Sequence, residues 1–176
     1  MQIEEKVLSL LEKSIAVRQG RLVSLAKERV ADEAFQNSGL EESGLRNLLD
    51  VAKESPHVAV VTNFLRYQVG RDASPSPTRW ATEVTYEEQA TAGDEEAEES
   101  TKRTMSIGDW VADDIEHTIA RDLAAEVLEH VEAEIDGPLP DDMRRAVAEQ
   151  AAIRLTRSYL GYLLRAFVTA KKWPQS

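Results

Sequence analysis

The chain has 176 residues, of which 42% are apolar and 30% are charged, and its formal net charge is −11. The lack of cysteine excludes disulfide-stapled folds, cysteine-only zinc sites and thiol nucleophiles. No apolar run approaches the roughly 18 residues that span a bilayer, and the acidic, mixed residues 1–6 do not resemble a signal peptide. We therefore expect a helix-rich protein that is cytoplasmic and has no membrane partner.

The first predicted part of the chain is residues 1–71. Apolar residues recur at three- and four-residue steps over residues 3–32, which predicts a helix. Gly20 weakens the middle of this helix, so we expect a kink or a break there. Asn37-Ser38-Gly39 predicts the turn that follows.

Two further helices are predicted before residue 72. Ser43 has the side chain of an N-cap residue for a helix through residues 45–52. Pro56 interrupts the pattern and suits the first turn of the next helix, with Ser55 as its cap. Gly70 is the predicted stop of that helix.

Residues 72–104 form a predicted linker that is acidic and mostly disordered. Residues 72–107 hold 9 acidic and 3 basic side chains, and Pro75 and Pro77 cannot lie inside a helix. An acidic segment with few apolar residues cannot offset its ordering entropy. We expect that it can be replaced without loss of folding, with Trp80, Val84 and Tyr86 as its points of contact with the protein body.

The third predicted part is a helical hairpin over residues 105–176. Ser106 is the predicted N-cap of a long helix that ends at Gly137-Pro138, and a fourth helix is predicted over residues 141–172. No segment alternates with a period of two for long enough to predict a sheet. The predicted fold class is therefore all-α, a helical bundle whose two halves are joined by the linker.

Catalytic and metal-binding motifs are missing from the sequence. Asp114 and His117, and likewise Glu126 and His130, have the spacing of ligands on one helix face, but the other helices supply no matching set. We interpret these residues as a solvated acidic face. Phosphate-binding glycine loops and a nucleophile elbow are also missing. The sequence thus predicts no enzyme, no metal site, no cofactor and no small-molecule substrate.

Two groups of arginines are candidates for contact with nucleic acid. Arg154, Arg157 and Arg165 lie along one edge of the fourth helix, which is either an ordinary solvated face or a surface for phosphates or an acidic partner.

The second group is Arg46, Arg66 and Arg71. Arginine suits phosphate contact because its planar guanidinium stays charged and donates two parallel hydrogen bonds. The alternative is a structural one, in which Tyr67 lies in the core and Arg66 pairs with Asp50 or Glu54.

The second group lies in a stretch with a family resemblance. Leu45-Arg46-Asn47-Leu48-Leu49, with Phe64-Leu65-x-Tyr67-Gln68-x-Gly70-Arg71, resembles the small helical subunit of type III CRISPR effector complexes, over residues 43–71 of the chain. The resemblance implies a non-catalytic subunit of an antiviral defence complex, whose subunits stack along a filament. It also implies that Arg46, Arg66 and Arg71 line a groove shared by guide and target RNA.

Two functions follow as hypotheses. The first is an RNA-contacting subunit of a multi-protein complex, with other subunits and further copies of itself as partners. The second is a helical adaptor or oligomerisation module that binds protein only, through an exposed edge formed by Tyr159, Tyr162, Phe167 and Trp173. The first requires Arg46, Arg66 and Arg71 to converge on one exposed surface. The second requires local carboxylates to pair with them and an apolar face to remain uncovered elsewhere.

Overall fold

The computed structural model describes residues 2–88 and 101–173, and its architecture is mostly helical, as predicted. A small antiparallel hairpin accompanies the helices. The elements in chain order are α1 (Gln2–Val17), α2 (Gln19–Ala31), α3 (Glu33–Asn37), α4 (Glu42–Glu54), α5 (Val58–Asp72), a 3₁₀ turn (Arg79–Ala81), β1 (Glu83–Glu88), β2 (Thr101–Ser106), α6 (Ile107–Asp113), a π-helical segment (Asp114–Leu123), α7 (Ala124–Glu134) and α8 (Asp141–Lys172).

The break in the first predicted helix lies at Arg18 rather than at Gly20. The backbone N–H of Arg18 donates to the Ile15 carbonyl at 3.1 Å, a tighter turn than an α-helix makes. The Arg18 guanidinium folds back onto the Ser14 carbonyl at 2.8 Å. The arginine therefore satisfies the end of α1, and Gly20 lies inside α2 with open space around it.

The boundaries of α4 and α5 differ from those predicted. Ser43 lies inside the first turn of α4, which begins at Glu42, so it is not the N-cap. Ser55 accepts a hydrogen bond from the His57 N–H at 3.1 Å in the connection before α5. Gly70 does not stop α5, which continues to Asp72, because Gly70 does not adopt the left-handed conformation of a helix-ending glycine.

In the parts of the predicted linker that the structure describes, the chain forms a 3₁₀ turn and two strands rather than a disordered segment. β1 and β2 pair in antiparallel register, with Val84 opposite Met105. Trp80 and Val84, two of the predicted points of contact, are buried in the main core and anchor the hairpin. The Arg79 N–H donates to the Ser38 carbonyl at 2.7 Å, which ties the 3₁₀ turn to the end of α3. Residues 89–100 of the predicted linker lie outside the described residues.

α6, the π-helical segment and α7 form one continuous helical rod, as the sequence predicts for this region. Ser106 is its N-cap, since its hydroxyl accepts from the Asp109 N–H at 3.0 Å. The π-helical segment could not be predicted from apolar spacing. Such segments are rare and usually a single turn, whereas this one covers 10 residues.

α8 is the central element of the fold. It packs against α1, α2, α4, α5, α7 and the π-helical segment, and its middle is buried on several sides. The buried residues of α8 are Val147, Ala151, Ala152, Ile153, Leu155, Thr156, Tyr159, Leu160, Leu163 and Phe167. Among the described residues, no helix is both long and apolar enough to cross a bilayer.

Candidate protein-binding groove

An apolar groove of about 690 Å³ runs between α2 and the C-terminal part of α8. Both helices line it with residues at helical spacing, so each contributes one wall. From Tyr162 to Trp173 the α8 wall is about 16 Å long, at 1.5 Å per residue. This length corresponds to about three turns of a helix. The lining residues are Val23, Lys27, Val30, Ala31, Gln36, Tyr162, Arg165, Ala166, Thr169, Ala170 and Trp173.

The predicted aromatic edge of α8 is corrected by the structure. Tyr159 and Phe167 are buried in the core, where Phe167 meets Phe35 edge to face at 6.1 Å between ring centroids. Tyr162 lines the groove, and its hydroxyl donates to Gln19 Oε1 at 2.8 Å. Trp173 lies at one end of the groove with 74% of its surface exposed. Two of the four aromatics therefore belong to an accessible surface.

The groove has a charge opposite to that of the whole chain. Its charged lining residues are Lys27 and Arg165, and no carboxylate lines it among the described residues, although the net charge of the chain is −11. The Arg165 guanidinium stacks 4.8 Å from the centre of the Tyr162 ring and donates to the Gly161 carbonyl at 3.1 Å. Both contacts leave Arg165 with free donors at the groove, so it suits an acidic side chain.

A buried polar cluster holds the two groove helices together. Arg29 of α2 donates from Nε to Asp114 Oδ2 at 2.7 Å and from NH2 to Oδ1 at 2.8 Å. The Tyr159 hydroxyl of α8 donates to the same Oδ2 at 2.8 Å. Asp114 opens the π-helical segment, so one carboxylate joins α2, this segment and α8. The guanidinium also lies 4.2 Å from the centre of the Trp110 ring.

Burial determines the electrostatics of this cluster. It raises the pKa of Asp114 above its usual value, while the contacts with Arg29 and Tyr159 oppose that rise. Burial and the neighbouring Asp114 carboxylate raise the pKa of the Tyr159 hydroxyl, so it stays protonated and donates. The cluster is a structural clamp, because every polar group in it has a partner.

The clamp corrects the interpretation of Asp114 as part of a solvated acidic face. Asp114 is 1% exposed. His117 is exposed and faces Asp113 across one turn, with Nδ1 3.1 Å from Oδ1. Within residues 2–88 and 101–173, no group of three or more metal-binding side chains is arranged around a common point.

Arg46, Arg66 and Arg71 each face a different carboxylate. Arg46 pairs with Glu42 one turn earlier in α4. Arg66 NH2 donates to Glu116 Oε2 of the π-helical segment at 2.7 Å, rather than to Asp50 or Glu54. Arg71 Nε lies 3.4 Å from Oδ1 of the adjacent Asp72. Tyr67 is exposed rather than part of the core.

The three arginines of α8 also have separate surroundings. Arg157 donates to the carbonyls of Ala52 and Ser55 at 2.8 and 2.9 Å, so it satisfies the C-terminal end of α4. Arg154 NH1 lies 3.6 Å from Glu12 Oε1 of α1. Arg165 alone among the three lines the groove. Phosphate contact stays a prediction for all six arginines.

Sequence reasoning did not find the groove itself. Val23, Ala166 and Ala170 look like ordinary core positions in a helical pattern, and only the packing of α2 on α8 leaves them open. The one signal in the sequence was the aromatic content near the end of α8. Comparisons with models of protein families, with curated proteins and with solved structures found no match to the chain.

Proposed function

We propose that the protein is a helical protein-binding module, which uses the α2–α8 groove to hold an amphipathic helix with acidic flanks. The observation that carries this proposal is the apolar, cation-lined groove with the exposed Trp173 at its end. Exposed aromatic residues beside an apolar depression are typical of binding sites for other proteins.

The size and chemistry of the groove support a helix as its occupant. A recognition helix places apolar residues at positions i, i+3, i+4 and i+7 into such a groove over two to three turns. The groove offers about that length, and Lys27 and Arg165 are positioned for carboxylates beside the apolar stripe. Burying such a stripe contributes about 25 cal/mol per Å² of apolar area, before the cost of association is subtracted.

The pairing of the other arginines supports the same function. The protein-only hypothesis requires local carboxylates beside Arg46, Arg66 and Arg71, and each of them has one. It also requires an uncovered apolar surface elsewhere, which the groove supplies.

The test uses two synthetic helical peptides with the same leucine stripe, one flanked by glutamate and the other by lysine. Fluorescence anisotropy should show saturable binding of the acidic peptide and at least tenfold weaker binding of the basic one. Ala170→Glu, which places a carboxylate in the groove, should abolish binding of the acidic peptide. Ala125→Glu, at an exposed position of α7, is the matched control and should leave binding unchanged.

The RNA-contacting subunit of a CRISPR-type complex is the second candidate. The observation in its favour is that the Arg46, Arg66 and Arg71 side chains are more than half exposed. Each guanidinium therefore keeps donors within reach of a phosphate in solution. Replacing all three by alanine should weaken RNA binding equally for every sequence and flatten its salt dependence by roughly 0.7 log units per lost contact. An unchanged affinity and salt slope would exclude this site.

A further inference from the structure

A second depression, separate from the groove, lies between the start of α4, the end of α5 and the 3₁₀ turn. Its volume is about 210 Å³. Residues from the stretch singled out in the sequence line it together, although they are up to 28 positions apart. They include the amides of Asn47 and Gln68, the guanidinium of Arg71 and the ring of Phe64. The 3₁₀ turn adds Arg79 and Trp80.

Asp72 lines this cavity with a carboxylate that is only half satisfied. Its side chain is 7% exposed, and Oδ1 lies 3.4 Å from Arg71 Nε. Oδ2 is buried and has no hydrogen-bond partner among the described residues. A buried carboxylate oxygen without a donor is costly. Because χ2 of aspartate is soft, the carboxylate can rotate to meet a donor that is bound in the cavity.

Arg79 supplies the opposite charge without a carboxylate of its own. Its side chain forms no ion pair with any residue in the described part of the chain. Its backbone φ is +52°, in the left-handed region that side-chain-bearing residues rarely adopt. The hydrogen bond from its N–H to the Ser38 carbonyl holds this conformation. The fold thus places a free guanidinium at the cavity, where it can bind a carboxylate through two hydrogen bonds.

Gln68 is a further polar group that lacks a partner. The residue is 7% exposed, and its side-chain amide makes no hydrogen bond within residues 2–88 and 101–173. The amide is not sealed in the core but open to the cavity that Gln68 lines, so it is available to a ligand's polar group. Phe64 and Trp80 give the same cavity an apolar wall.

We propose that this cavity binds a free α-amino acid with an apolar side chain. The ammonium group meets Asp72, the carboxylate meets Arg79, and the side chain packs against Phe64 and Trp80. The ammonium group of the ligand then supplies a donor for the unpaired oxygen of Asp72, and its carboxylate supplies an ion-pair partner for Arg79. The inference adds a small-molecule ligand to a chain whose sequence predicts no small-molecule substrate, and it does not depend on the groove.

The test titrates the full chain with L-leucine and follows the indole N–H resonance of Trp80 by NMR. L-leucine should give a saturable shift with a Kd of about 1 mM or below. N-acetyl-leucine, which lacks the ammonium group, and leucinamide, which lacks the carboxylate, should each bind at least tenfold more weakly. Arg79→Ala should remove the preference for leucine over leucinamide, and Asp72→Asn the preference over N-acetyl-leucine.

The matched control is Arg121→Ala, which removes an exposed arginine far along the chain on the π-helical segment and should bind L-leucine like the unaltered protein. The proposal is overturned if L-leucine gives no saturable shift, which would indicate a cavity that holds only water. It is also overturned if the three compounds bind equally, or if Arg79→Ala and Asp72→Asn both keep the preferences of the unaltered protein.

Discussion

Arg29 and Asp114 form a two-point ion pair inside the helical body, 85 positions apart in the chain. The side chains are 15% and 2% exposed, so both charges have lost most of their water. The pair fixes α2 against the π-helical segment, and Tyr159 extends the contact to α8. The two helices that form the walls of the α2–α8 groove are therefore held together by a polar contact, in which Arg29 of α2 and Tyr159 of α8 bind the same carboxylate.

Removing one partner of this pair should be strongly destabilising. Asp114→Ala leaves the Arg29 guanidinium buried without its carboxylate, and we expect a loss of about 3–5 kcal/mol in the free energy of unfolding. The measurement is urea denaturation followed by circular dichroism. Asp122→Ala, which breaks the exposed pair with Arg121, is the control and should leave the free energy of unfolding nearly unchanged.

The double variant Arg29→Met with Asp114→Leu distinguishes the stabilising effect of the ion pair from the cost of one buried charge left without its partner. Replacing a buried ion pair by apolar side chains of similar volume is often neutral or stabilising. We expect it to recover part of the stability that Asp114→Ala loses, since the Tyr159 hydroxyl lacks its acceptor in both variants. A double variant as unstable as the single one would show that the pair itself, rather than the unpaired charge, determines stability.

Gly108 is a position where the fold has no room for a side chain. A Cβ atom there would lie 2.3 Å from Val69 Cγ2 and 3.3 Å from the Trp80 carbonyl oxygen. We expect Gly108→Ala to cost about 1–3 kcal/mol in thermal or urea unfolding. Gly20→Ala is the control, because nothing lies within 4 Å and alanine favours the helix. The prediction fails if both variants are equally stable.

Truncation of the buried Trp80 and of the exposed Trp173 should have different effects on stability. Trp80 is 2% exposed and Trp173 is 74% exposed. Trp80→Ala should lower the free energy of unfolding by about 3–5 kcal/mol, since it leaves a cavity under the hairpin. Trp173→Ala should leave stability nearly unchanged. A Trp80→Ala variant as stable as the unaltered protein would contradict this expectation and support the prediction that residues 72–104 are dispensable for folding.

The Arg66–Glu116 pair gives stability a specific dependence on pH. The hydrogen bond from Arg66 lowers the pKa of Glu116 below its ordinary value of 4.5. A lowered folded-state pKa contributes stability that is present above the unfolded-state value and lost as pH falls through the folded-state value. The free energy of unfolding of Arg66→Ala should therefore fall less below about pH 4.5 than that of the unaltered protein. Arg66→Lys, which keeps a positive charge beside Glu116, should retain part of the pH dependence. Identical pH profiles for Arg66→Ala and the unaltered protein would contradict this assignment.

The sequence predicted where the helices lie better than it predicted which side chains contact one another between them. Apolar spacing located the long rod from Ser106 and the whole of α8, because periodicity reports burial directly. Apolar spacing could not show that Asp114 is buried, since a carboxylate on an acidic helix is normally solvated. Its burial is stabilised by Arg29 and Tyr159, which are distant in the sequence. The hairpin was missed because its strands are short and polar, and Trp80 anchors it from outside either strand. The groove depends on how two helices pack, which one-dimensional spacing does not encode.

The most direct measurement of the proposed function is the indole N–H resonance of Trp173 during titration with the glutamate-flanked peptide. A helix in the α2–α8 groove should shift this resonance to saturation and leave that of the half-buried Trp110 nearly unchanged, and its binding should weaken as salt screens Lys27 and Arg165. Trp173 should remain unshifted with the lysine-flanked peptide. A Trp173 resonance that does not move, or that moves equally with both peptides, would contradict the assignment of the groove as a site for an acidic helix.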